Sequence, residues 1–230
     1  MELIFTANCG VIINDGKHTI AIDALHCKKA EPFSPVPQST LDWVFKNTKI
    51  DLLLYTHPHC DHYDKELNDR YIREHGSAII MPENDSADLK LEREHGKLDI
   101  KELGLSIEYR KLMHSGEQYR NEINYGYYIS FGGKTLLTLG DSAISAPELP
   151  GFLYGKTADI AFINFPFYTL SSGRTAVKEL IKPKSVIVQH LPFGEDDRFS
   201  YRDAIKRRSE MPGMPTVRAL LTETLQRVEL

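Results

Sequence analysis

Three histidines and an aspartate fall within six residues at His57-Pro58-His59-Cys60-Asp61-His62, directly behind the apolar run Asp51-Leu52-Leu53-Leu54-Tyr55. A short apolar run of this kind predicts a buried strand. The fold must therefore carry a strand that ends at a sheet edge and delivers a dense set of metal-type donors there. Histidines two apart at a strand end point the same way, so His57 and His59 can chelate one ion. Asp61 and His62 follow at once, point elsewhere and can reach a second. Imidazole with carboxylate suits zinc, iron or manganese. A polar loop capping the next helix would account for one histidine, not for three and an aspartate.

Two ions need more ligands than this cluster supplies. His114 follows the strand-like stretch 106–113, Asp141 follows Leu136-Leu137-Thr138-Leu139-Gly140, and His190 follows Val186-Ile187-Val188-Gln189. Each sits just past an apolar run, as His57 does, where a rigid sheet fixes its backbone. Any one of them alone would read as a structural strand-end residue; with the cluster they form a pattern.

That ordered pattern, His-x-His-x-Asp-His, then a histidine, an aspartate after glycine, and a final histidine after a strand, resembles the metallo-β-lactamase fold hydrolases across almost the whole chain. The opening hairpin ending in Asp23 is similar too. The resemblance implies an α/β fold, a four-layer αββα sandwich of two mixed β-sheets with helices on the outer faces, formed by residues 1–230 as one domain. It implies His57, His59 and His114 on a first metal, Asp61, His62 and His190 on a second, and Asp141 bridging both. Asp23 resembles the aspartate that holds one ligand histidine in the required tautomer. Two divalent ions, expected to be zinc with manganese or iron as alternatives, would sit about 3.5–4 Å apart and share a hydroxide that attacks carbon or phosphorus. Asp61 is the expected catalytic residue, orienting that nucleophile and accepting its proton.

The resemblance also separates branches. His59 stands where flavodiiron proteins carry glutamate, and Asp141 stands where the best-known class B β-lactamases carry cysteine. The compact length and the strand from Gly126 to Ile129 look most like the branch that includes ascorbate-6-phosphate lactonase. The expected reaction is hydrolysis of an ester, lactone or phosphoester of a small molecule. Two alternatives stay open: a mononuclear iron thiol-persulfide dioxygenase, which needs only two histidines and a carboxylate, and a non-catalytic metal-binding member of the fold.

Composition narrows the partners. A net charge of −4 over 230 residues leaves no basic footprint for nucleic acid, and Lys206-Arg207-Arg208 reads as a solvated helix end. No apolar run approaches a membrane span, and a cytoplasmic location is expected. The expected partner is a small-molecule substrate, without nucleic acid or membrane. Three scattered cysteines make no disulfide framework; Cys60 reads as a small packing residue rather than a ligand.

Local signals complete the outline. Asp15-Gly16 and Gly132-Gly133-Lys134 predict hairpin turns, Ser39 or Thr40 caps a helix to Asn47, and Lys65–His75 predicts another helix. Arg-Glu-His-Gly occurs at 73–76 and 93–96, where His75 and His95 read as last-turn residues before a glycine stop. A helix is predicted near 174–181. Its opening at Ser171-Ser172-Gly173-Arg174 reads as an ordinary cap, with phosphate binding as the less favoured alternative. Phe162, Phe165, Phe167 and Tyr168 read as core, and Tyr63 is a candidate neighbour of the site.

Overall fold

The computed structural model describes residues 1–82, 89–91, 94–192 and 194–230. The chain divides into two compact units, Met1–Glu92 with Pro192–Asp196 and Leu221–Leu230, and Arg93–Leu191 with Asp197–Leu220.

The first unit is built on a seven-stranded mixed sheet. β1 (Glu2–Phe5), β2 (Val11–Asn14) and β3 (Thr19–Ile22) run antiparallel, and the C-terminal strand Arg227–Glu229 adds to β1. β4 (Leu52–Leu54), β5 (Ala78–Met81) and β6 (Leu89–Lys90) then continue the sheet in parallel from β3. Parallel neighbours need crossovers, and two helices supply them. α1 (Gln38–Asn47) joins β3 to β4, and α2 (Lys65–His75) joins β4 to β5. Their inner faces, Leu41 and Val44 on α1 and Tyr71 on α2, pack with Ile50, Leu53 and Ile79. A fully buried aliphatic side chain of this kind contributes about 1.5–3 kcal/mol.

The β2–β3 hairpin follows its turn chemistry. Asp15 Oδ1 accepts from the N–H groups of Lys17 and His18, and Gly16 takes φ +98°. α2 has the bounds its signals predict. Asp64 caps it by accepting from Leu67 N at 3.0 Å, and Gly76 ends it in the left-handed conformation with His75 in the last turn.

The second unit repeats the plan. β7 (His95–Ile100), β8 (Leu105–Lys111), β9 (Tyr125–Phe131) and β10 (Lys134–Thr138) are antiparallel. β11 (Ile160–Asn164), β12 (Ser185–Gln189) and β13 (Thr216–Leu220) follow in parallel from β10. The β9–β10 turn is Gly132-Gly133, both at positive φ, as a two-residue hairpin with right-handed strand twist requires. The short helices α3 (Leu149–Leu153), α4 (Pro166–Thr169) and α5 (Ser171–Thr175) and the helix α6 (Tyr201–Ser209) lie in the connections. Each unit is thus an antiparallel half followed by a parallel half. The fold class is α/β with two mixed sheets and helices. No helix among the described residues is long and apolar enough to cross a membrane.

Four local expectations change. α1 begins at Gln38 behind Pro37, so Ser39 and Thr40 lie inside its first turn rather than capping it. His95 opens β7 rather than ending a helix. Its pairing opposite Arg110 supplies hydrogen bonds that four residues of local sequence cannot show. The 174–181 segment is α-helical only to Thr175 and then π-helical over Ala176–Ile181. Arg174 Nη1 donates to the carbonyls of Tyr168 and Thr169, at 2.8 and 3.0 Å, so the guanidinium closes the preceding turn. Phe162, Phe167 and Tyr168 are buried core, as expected.

Asp159 ties the start of β11 to both neighbouring strands. Its Oδ2 accepts from Thr135 N and Oγ1 at 2.8 Å each, and its Oδ1 accepts from Lys184 Nζ at 2.7 Å. The Lys184 ammonium, helped by the Thr135 donors, holds its carboxyl down at about 2. A depressed carboxylate stabilises the fold above its unfolded pKa near 4 and loses that contribution as pH falls through 2. Asp159→Asn is expected to cost about 1–2 kcal/mol at pH 7, discounted for solvent screening. The difference from wild type should shrink between pH 4 and pH 2 in urea unfolding curves; a gap independent of pH would contradict this.

Candidate metal centre

Asp23 and His57 come from the C-terminal ends of the parallel neighbours β3 and β4, which open on one sheet edge. Asp23 is 1% exposed and held at φ +48°. Its Oδ1 accepts from Thr56 N at 2.8 Å, and its Oδ2 accepts from Thr56 Oγ1 at 2.7 Å and meets His62 Nδ1 at 3.0 Å. Thr56 Oγ1 also meets His57 Nδ1 at 2.9 Å. A hydroxyl has one proton. With that proton given to Asp23, Thr56 Oγ1 must accept from His57 Nδ1–H. One carboxylate therefore sets both rings: His62 directly, His57 through Thr56. In both, Nε2 is the nitrogen with a lone pair to offer a metal.

The rings gather closely. His57 lies 4.7 Å from His59 and 4.0 Å from His62 between centroids. Asp61 Oδ2 is 3.9 Å from His62 Nε2. His57, Asp61 and His62 are buried and His59 half-buried. The turn that swings Asp61 and His62 back is closed by His62 N and Tyr63 N donating to His59 O. Asn8 Nδ2 then fixes Asp61, donating to its backbone O and its Oδ2 at 3.0 Å each.

Tyr55 lies beneath the cluster. Burial, with the Asp23 charge adding to it, pushes its phenol well above the ordinary value, and its hydroxyl donates to Asn68 Oδ1. Tyr63 packs edge-on against Tyr55 at 5.0 Å.

The second unit gathers its own three candidates at one edge. His114 follows β8, Asp141 follows β10 and His190 follows β12. Asp141 Oδ2 stands 3.2 Å from His190 Nε2 and 3.9 Å from His114 Nε2. Ligands at about 2.0–2.2 Å around one ion stand roughly 3.3–3.6 Å apart, so the 3.2 Å pair of Asp141 and His190 is close enough for two donors on a shared ion, while His114 stands a little farther off. Asparagines hold the carboxylate. Asn164 Nδ2 donates to Asp141 Oδ1, and Asn124 Oδ1 accepts from Asp141 N, at 2.9 Å each. Asn124 Nδ2 also donates to Leu139 O, and His114 bridges to Ser142 in a short antiparallel contact. His114 Nδ1 meets Ser115 O at 2.7 Å, which makes Nε2 its donor nitrogen. His190 sits at φ +57°. Asn8 and Asp23, which hydrogen-bond Asp61 and His62, share this left-handed conformation with the candidate ligand His190, and strain of this kind gathers where function tolerates it.

The first unit thus brings His57, His59, Asp61 and His62 together, and the second brings His114, Asp141 and His190 together. Asn8, Thr56, Asn124 and Asn164 carry no motif signal and emerge only from these contacts. Cys60 is exposed and is not a packing residue. The buried thiol is Cys9, whose Sγ lies within 4.8 Å of a ring nitrogen of His62.

A scan against protein-family models finds no match, and a search of curated proteins likewise finds none. Solved structures do match. Igni18, a novel metallo hydrolase from the hyperthermophilic archaeon Ignicoccus hospitalis, superimposes with TM-score 0.70 at 18% identity, over 100% of this chain and 98% of that one. The metallo-β-lactamase fold protein YhfI from Bacillus subtilis gives TM-score 0.63 at 15% identity, covering 98% of each chain. CmlA, a diiron β-hydroxylase from Streptomyces venezuelae, gives 0.67 at 14% identity, over 100% of this chain and 54% of that one. The chain therefore has the metallo-β-lactamase fold.

Proposed function

We propose that the protein is a metal-dependent hydrolase with a dinuclear site. In this reading His57, His59 and His114 hold one divalent ion, Asp61, His62 and His190 hold the other, and Asp141 bridges them. The observation that carries it is the buried histidine cluster whose two Nδ1 atoms are anchored through Asp23, leaving Nε2 of His57 and His62 as donors. Such anchoring orients metal ligands and raises their basicity. When bound, two divalent ions supply a water acidified towards neutrality and positive charge for the oxygen under attack.

The chain's own residues do the rest. Asp61, clamped by Asn8, orients the attacking water and takes its proton at Oδ2. Asn164 keeps Asp141 Oδ1 turned away so that Oδ2 faces its histidines. The substrate proposed is a small ester, lactone or phosphoester, and zinc is the proposed metal. The likeness to CmlA favours a second reading, iron-dependent oxygenation, on the same residues.

Metal analysis of protein purified without chelators tests the reading. Two equivalents per chain are expected; less than one would overturn it. Asp61→Ala and His62→Ala should each abolish any lactone, ester or phosphoester hydrolysis found in a substrate screen. A turnover that survived both changes would exclude this mechanism. Bound iron with substrate-dependent oxygen uptake would select the second reading.

A further inference from the structure

The loop from Thr6 to Gly10 between β1 and β2 lies outside the histidine motif, yet it delivers two buried polar side chains to it. The loop is tightly closed: Thr6 N donates to Gly10 O at 2.8 Å and Gly10 N to Ala7 O at 2.6 Å. It presses on the Asp23 turn so closely that a Cβ at Gly10 would stand 2.1 Å from Thr6 Oγ1 and 2.9 Å from Asp23 O. Asn8 and Cys9 are 0% and 1% exposed. Cys9 Sγ is within 4.8 Å of a ring nitrogen of His62. Asn8, next in the chain, spends Nδ2 on Asp61. Its Oδ1 is buried with no hydrogen-bond partner among the described residues. A buried acceptor left unmatched is unfavourable, unless a bound species supplies the donor.

We infer that Cys9 is a thiolate ligand of the ion held by His62, and that Asn8 Oδ1 accepts from a water or substrate hydroxyl at that ion. A buried structural cysteine packs as a small hydrophobe; Cys9 instead lies beside an imidazole nitrogen whose ring is oriented from behind by Asp23. Nitrogen at about 2.0 Å and sulfur at about 2.3 Å from one ion stand roughly 3.0–3.5 Å apart at right-angled to tetrahedral ligand angles, and Cys9 Sγ already lies within 4.8 Å of the His62 nitrogen. A thiolate makes the site softer, favouring zinc or iron over manganese. The loop thus tunes metal choice from outside the motif. This inference rests on the dinuclear reading above.

Cobalt(II) loading tests it without an activity assay. The chain has three cysteines, so the double variant Cys27→Ser/Cys60→Ser keeps Cys9 as its sole thiol. Wild type and the double variant should both show an intense thiolate-to-cobalt charge-transfer band in the near ultraviolet. Cys9→Ser should lose the band and bind one equivalent at least about tenfold more weakly. Cobalt bound by the double variant without the band would overturn the thiolate ligand and leave the dinuclear reading standing. No cobalt binding by any form would overturn both.

Discussion

Asparagine at position 23 is expected to cut metal affinity in the first unit by about 10–100-fold, the usual effect of losing an outer partner of a ligand histidine. Asp23 accepts from Thr56 N, Thr56 Oγ1 and the His62 ring, and it is buried. Asparagine fits the space and tolerates the left-handed backbone at this position. It cannot accept at both oxygens. Its NH2 would face Thr56 Oγ1 and His62 Nδ1, so that Nδ1 becomes an acceptor and the ring proton moves to Nε2. A protonated Nε2 cannot coordinate a metal. The same change breaks the Thr56 relay to His57, so both rings lose their orientation together. Hydrogen bonds to a buried charge are also structural, so the metal-free variant should lose about 2–3 kcal/mol. Metal titration and urea unfolding of the metal-free protein check the two effects separately. Affinity within twofold of wild type would show that Asp23 does not set the tautomers. Thr56→Ser, which keeps the hydroxyl, should restore what Thr56→Val loses.

Asp141→Asn should behave differently: a full equivalent of metal lost, with little change in stability. Asp141 Oδ2 stands 3.2 and 3.9 Å from two histidine nitrogens, and its side chain is still 14% exposed. It is held mainly by Asn164 and by its backbone contact to Asn124. The asparagine keeps the backbone contact and removes the anion that would sit between the two ions. Any hydrolysis should fall by at least about 10²–10³-fold, the cost of losing a single well-placed charge contact in a transition state. The metal-free variant should unfold within about 1 kcal/mol of wild type, because residues placed for function commonly contribute little to stability. Two metals per chain retained in Asp141→Asn would remove the residue from the ligand set. In the proposed site, the two variants would separate a carboxylate that orients the ligands from one that ligates.

The hairpins at Asp15-Gly16 and Gly132-Gly133 and the bounds of the Lys65–His75 helix were legible because turn and cap chemistry act over two to four residues. The second Arg-Glu-His-Gly misled for the same reason in reverse. Its helix-ending signal is local and weak, and the Gly96–Tyr109 pairing of β7 with β8 overrides it. The Thr175–Ala176 change from α to π geometry carries no signal in the residues.

Read alone, the sequence determined the donor types, their order, and that each stands just past an apolar strand. Those facts are carried by residue identity and period, which survive without coordinates. Tertiary structure decided what each donor can do. Asn8 reaches Asp61 across 53 residues of chain, Asn164 reaches Asp141 across 23, and Asp23 reaches His62 across 39. It also exchanged the cysteines, placing Cys60 of the motif at the surface and Cys9, far from the motif in sequence, beside His62. Tautomer, orientation and burial depend on neighbours that chain folding brings together, and no spacing along the sequence encodes them.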